Sequence, residues 1–207
     1  MFTEYEIDTM MEIRDVQQAT FELKKYFIKS EAPYLELSDH DFFSLIMMAP
    51  TIGIAKADGK VTLFEELALN KKARKLSKGG YFMKKDPVVH GMKFMIEKYE
   101  DWEDNFCEML TKAMHLTFDM SLLETTEVPL AEVSYEDYKR QVLKSPYILI
   151  RFISSFFLEN DEDIINKKRT MGQSEYRAML KIGEKLGLNK LKVFQMFCKT
   201  FDVKGLQ

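Results

Sequence analysis

Cysteine is scarce in this chain: only Cys107 and Cys198 are present, in separate helical patterns far apart in sequence. That excludes a disulfide framework and makes the cytoplasm the expected compartment. Glycine and proline are also few, nine and five in 207 residues, which argues for helices over a strand-and-turn fold. No apolar run approaches the roughly 18 residues of a membrane span. The longest candidate, Tyr147 to Leu158, is interrupted by Arg151 and by Ser154-Ser155. The opening residues, Met1 to Glu6, are acidic and lack the layout of a signal peptide. Charge is balanced to a formal −3, without the basic excess of a dedicated nucleic-acid binder. The three histidines, His40, His90 and His115, are not spaced as a metal pair. The chain has no His-Glu-x-x-His motif, nucleophile elbow or phosphate-cradling glycine loop, so no enzymatic function is expected.

What is present is helical periodicity. Apolar residues make up 46% of the chain and charged residues 30%, ordinary values for a globular protein. Apolar residues recur at spacings of three and four, predicting an all-α bundle of about seven to nine helices. A first helix is expected from about Thr9 to Lys29, ending before Ala32-Pro33. Ser38 caps a second, which Pro50 should kink or split. Asp86-Pro87 opens another, with a break or a continuation near Asp101-Trp102. Ser134, Ser145-Pro146, Ser174 and Asn189 mark later starts, and Gly187 marks a stop. Residues 124–133 read as a linker. The expected division is an N-terminal helix and linker over 1–37, then a helical domain over 38–207 with halves near 38–123 and 134–203.

The stretch Ala57 to Glu66 is the place that suggests a site. Phe43, Ile46, Met47, Pro50, Ile54 and Ala57 lead into it as one apolar stripe, and Gly59 can close the helix in a left-handed conformation. Thr62 stands three residues before Glu65, the spacing of a capping box. Leu63, Leu67, Ala73 and Leu76 are expected to form the buried side of the next helix. Asp58, Glu65 and Glu66 put three carboxylates close together. Helix capping accounts for the two glutamates. Coordination of a hard cation through carboxylate and carbonyl oxygens is the other reading, with calcium, magnesium or manganese favoured over softer metals.

The same order recurs later. With Glu65 placed over Glu175, Ala68 meets Ala178, Lys71 meets Lys181, Lys75 meets Lys185 and Leu76 meets Leu186. Asp161 stands where Asp58 does, after the apolar run Phe156 to Leu158, although the loop that follows is longer and carries Lys167-Lys168-Arg169. Duplication and shared helical periodicity both explain this register. Lys71, Lys72, Arg74, Lys75 and Lys78 form a basic helix end, which either complements the helix dipole or faces an anionic partner.

Ala57-Asp58-Gly59, followed by Glu65 and Glu66 between two amphipathic helices, resembles the tellurite-resistance TerB-like family. The resemblance covers roughly residues 38 to 203. It implies an all-helical protein of two related halves, linked to bacterial stress responses, whose acidic loops hold a divalent cation. The residues matching that role are Asp58, Glu65, Glu66, Asp161 and Glu175. The second loop departs from the pattern, since Asn160-Asp161-Glu162-Asp163 replaces Asp-Gly. Two functions are therefore expected: a stress-linked protein with a cation-binding carboxylate loop, or a metal-free adaptor that receives a protein partner or associates with itself.

Overall fold

In a computed structural model of the chain, the described residues are 1–79, 86–123, 125 and 133–205. The fold is all-α. Eleven α-helices of seven residues or more, one single α-turn and a 3-10 turn at Met120–Leu122 account for the described helical residues, a count above the seven to nine expected. They are α1 (Glu4–Glu12), α2 (Arg14–Glu31), α3 (Asp39–Ile46), α4 (Ala49–Ala55), α5 (Leu63–Leu76), α6 (Pro87–Glu97) and α7 (Tyr99–Thr117), then α8 (Tyr135–Lys144), α9 (Tyr147–Phe156), the turn α10 (Asp163–Asn166), α11 (Gln173–Lys185) and α12 (Lys192–Lys199). The expected linker at 124–133 lies almost wholly outside the described residues.

Local chemistry sets many of the boundaries. Ser38 accepts the Asp41 amide, Asp86 the Val88 amide and Ser134 the Asp137 amide, each satisfying a donor that the first helical turn leaves open. Pro50 lies in the first turn of α4, so the expected second helix is split between α3 and α4. Gly187 closes α11 with φ +70° while the Leu188 amide reaches back to the Gly183 carbonyl. Other boundaries differ from expectation. Ile13, in extended conformation, divides the first helix into α1 and α2. The later break falls at Lys98. The N-cap of α11 is Gly172 rather than Ser174, and that of α12 is Leu191 rather than Asn189.

A small feature escaped the helical pattern. β1 (Arg169–Gly172) and β2 (Phe201–Lys204) pair in parallel, with Arg169 opposite Phe201 and Gly172 opposite Lys204. The crossover between them is α11 and α12, as parallel pairing requires.

One apolar cluster runs from Phe2 to Cys198. Phe2, Ile7, Met10, Val16 and Phe27 belong to it, so residues 1–37 pack into the same core as the rest. The centre is α4, which packs on α5, α7, α9 and α11. Gly53 makes that closeness possible: a methyl there would overlap the Tyr99 hydroxyl and the Ile182 side chain. Gly183 plays the same part on α11, against the Phe194 ring.

Candidate functional site

The loop after α4 begins as expected and then diverges. Gly59 takes φ +117°, a conformation glycine tolerates and side chains rarely adopt. Thr62 caps α5, and the Glu65 carboxylate accepts both the Thr62 amide at 2.7 Å and its hydroxyl at 2.6 Å. Glu65 is thus committed to the capping box. Replacing Thr62 with alanine should cost about 1 kcal/mol in urea unfolding, whereas Glu65→Gln should cost little, because an amide oxygen can accept the same bonds.

Glu175 has the same duty in the second half of the chain. It is the third residue of α11 and accepts the Gly172 amide at 2.7 Å. The superposition of Glu65 on Glu175 therefore pairs two helix starts in which a third-position glutamate accepts the N-cap amide, although Thr62 adds a capping hydroxyl that Gly172 lacks.

Asp161 is turned inward. Its carboxylate accepts the Tyr147 hydroxyl at 2.8 Å, Arg151 Nη1 at 2.9 Å, the Ser154 hydroxyl and the Met1 ammonium. Burial by itself would raise its pKa, but the hydrogen bonds from the ammonium, Ser154 and Tyr147 outweigh that and hold it at about 2. Asp58 is exposed, with no hydrogen bond or ion pair among the described residues, and Glu66 is half-buried on α5. Lys56, beside the loop, turns away to the Ile96 carbonyl and Glu100. Glu65, Glu175 and Asp161 are thus each engaged in a separate local network. No three His, Cys, Asp or Glu side chains among the described residues gather as a metal-holding group.

Both cysteines and His40 are buried. Burial raises the Cys107 thiol to about 12 and raises Cys198 as well, so both remain protonated and packed. His40 is buried, with Nε2 donating to the Leu76 carbonyl at 2.7 Å and Nδ1 2.8 Å from Asp8 Oδ1. Ser44 donates to the same carbonyl at 2.9 Å, and Lys78 Nζ lies 2.8 Å from Asp8. These contacts tie the C-terminal end of α5 to α1 and α3.

The helix held in this way carries what the pattern misplaced. Leu63, Phe64 and Leu67 are 68%, 84% and 57% exposed, which corrects the expectation that Leu63 and Leu67 line the buried side. The buried stripe is Leu69, Ala73 and Leu76, with Asn70 beside it. At about 100° of rotation per residue, Leu67 lies on the opposite side of the helix from Leu69. The outward face therefore runs from Leu63, Phe64 and Leu67 to Lys71 and Lys75, while Glu65 and Glu66 sit half-buried on its flanks. Lys71 and Lys75 have no ion-pair partner among the described residues, whereas Arg74 pairs with Asp86. A signal was present in the sequence: positions 63, 64 and 67 are out of register with 69, 73 and 76, so α5 has two apolar faces and the core can take only one.

A mainly apolar depression of about 700 Å³ lies between α2 and residues 33–38, lined by Phe21, Lys25, Ile28, Lys29 and Leu35 among others. No family model, curated protein or solved structure matches the chain.

Proposed function

We propose that the chain is a metal-free helical interaction module and that the start of α5 is its partner-binding face. The observation that carries this reading is the exposure of Leu63, Phe64 and Leu67 together on one helix. Adjacent large apolar side chains held in water are the usual mark of a surface that a partner covers. The capping box at one end of α5 and the His40 contacts at the other hold the face in place without the partner, which lowers the ordering cost of binding. Two free, buried cysteines suit the cytoplasm. No helix of the described residues is long and apolar enough to cross a membrane.

The test is a photo-crosslinking amino acid at position 64, introduced in the chain's own host. A discrete adduct should form there and disappear when Leu63→Asp and Leu67→Asp are added. No adduct should form from Leu143, which is equally exposed but lies away from the face on α8. Equal adducts from both positions, or none from 64, would reject the reading.

A second reading, the divalent-cation loop, draws support from Asp58, which is exposed and has no hydrogen bond or ion pair among the described residues. It requires heat on titration with calcium, magnesium or manganese, at up to about millimolar concentrations, and loss of that heat in Asp58→Asn.

A further inference from the structure

The outward face of α5 also describes its occupant, provided the interaction reading above holds. Its chemistry is divided along the helix axis. The first turn and a half presents Leu63, Phe64 and Leu67, and the next two turns present Lys71 and Lys75. No carboxylate of α5 itself shares that azimuth, because Glu65 and Glu66 are turned to the half-buried flanks. From residue 63 to residue 75 the face is about 18 Å long, at about 1.5 Å per residue.

We infer that the partner is a short acidic amphipathic helix lying antiparallel to α5, with carboxylates in its first turns on Lys71 and Lys75 and apolar anchors farther on against Leu63, Phe64 and Leu67. Charge complementarity selects the acidic half, since two cations without an ion-pair partner among the described residues, beside an apolar patch, favour an anionic neighbour and disfavour a basic one. The dipoles select the direction. Antiparallel packing opposes the two helix dipoles, and carboxylates are also most favourable in the first turn of their own helix. The length of the face sets a contact of about 12 residues.

An anionic membrane is the competing surface, and the axial division argues against it. A helix lying in the interface presents an apolar stripe along its whole length with cations at the sides. Here the apolar part covers only the start of α5, and Lys71 and Lys75 project from the same side as Phe64. A helix lying flat would bury those cations along with the anchors.

The experiment uses the full chain, labelled with nitrogen-15. The probe is a synthetic peptide of about 16 residues with Glu in its first two turns and Leu and Phe in its last two. Three further arms are the same peptide with Gln for Glu, the peptide with its halves exchanged, and vesicles of phosphatidylcholine and phosphatidylserine. The Glu peptide should shift amides across residues 63–78. The Gln peptide should bind at the same place at least tenfold more weakly, the loss of about 1.4 kcal/mol or more. Lys71→Glu with Lys75→Glu should weaken the Glu peptide by a similar factor, and Phe64→Asp should abolish binding. Raising salt from about 50 to about 300 mM should weaken only the Glu peptide.

Equal binding of the Glu and Gln peptides at residues 63–78 would overturn the acidic partner and leave the interaction reading standing. Equal binding of the exchanged peptide would overturn the antiparallel direction. If no peptide shifts residues 63–78, both the partner and the interaction reading fall. Phe64-dependent binding to the vesicles in place of the peptides would assign the face to lipid. Concentration-dependent shifts in the chain alone would assign it to a second copy.

Discussion

Asp161→Ala is expected to lower the folding stability by about 3 kcal/mol in urea unfolding at neutral pH, although the sequence singled this residue out as a ligand. Its carboxylate is the common acceptor for Arg151, Tyr147, Ser154 and the Met1 ammonium. The Arg151 side chain is only 14% exposed, and it lies 5.6 Å from the Phe2 ring centre and 5.7 Å from that of Tyr147. Removing the anion leaves a largely buried guanidinium with Glu6 as its remaining ion-pair partner. Breaking one side of such a pair costs about 3–5 kcal/mol when burial is complete, and the partial exposure here places the loss at the lower end. Asp161→Asn keeps the shape and one acceptor, so it should lose less.

The same residue sets a pH dependence. Its folded pKa, about 2, is below the ordinary aspartate value of 3.8. A depressed carboxylate stabilises the fold fully above the unfolded value and loses that contribution as pH falls through the folded one. Unfolding midpoints of the wild type should therefore drop between about pH 4 and about pH 2. Asp161→Ala should show a smaller drop over the same window, and parallel curves would mean that the carboxylate is not held as described.

Gly183→Val should be the most damaging single core change, with a loss of about 3 kcal/mol or more. Even one methyl at this position would overlap the Phe194 ring. That ring is buried and packs on Phe157 and Phe197 at 5.7 and 6.2 Å between ring centres, so it has little room to move. Overpacking usually costs about 1–3 kcal/mol, and a β-branched side chain adds more atoms than the methyl already excluded. Phe194→Leu in the same chain opens space next to the new side chain. The double variant should thus be more stable than the sum of the two losses, by about 1 kcal/mol or more. Strict additivity would show that residue 183 does not approach residue 194.

Local chemistry made part of this fold legible in advance. Ser38, Thr62 with Glu65, Asp86-Pro87, Ser134 and Gly187 each satisfy or terminate backbone groups within a few residues of themselves, so their roles follow from spacing. The division at Ile13 and the break at Lys98 have no glycine or proline to announce them, and both depend on how the flanking helices pack. The four-residue strands at Arg169 and Phe201 pair across α11 and α12, a separation that no local spacing reports. Asp161 shows the limit of reading carboxylates by position. The family resemblance cast it as a cation ligand, but the partners that turn it inward come from residues 1 and 147–154. On α5 the difficulty was an excess of signal. Leucines at 63 and 67 fit a helical stripe as well as those at 69 and 76 do, and only the packing of α5 against α3, α4 and α6 decides which stripe is covered.

A docking face on α5 requires that Leu63, Phe64 and Leu67 be held in water and contribute nothing to the core. Equilibrium urea unfolding of the variant Leu63→Ser, Phe64→Ser, Leu67→Ser tests this directly. Exposed positions should cost only the small difference in helix propensity, a total of about 1 kcal/mol or less. A loss above about 4 kcal/mol, the scale for removing several buried side chains, would place these residues in the core and contradict the docking face.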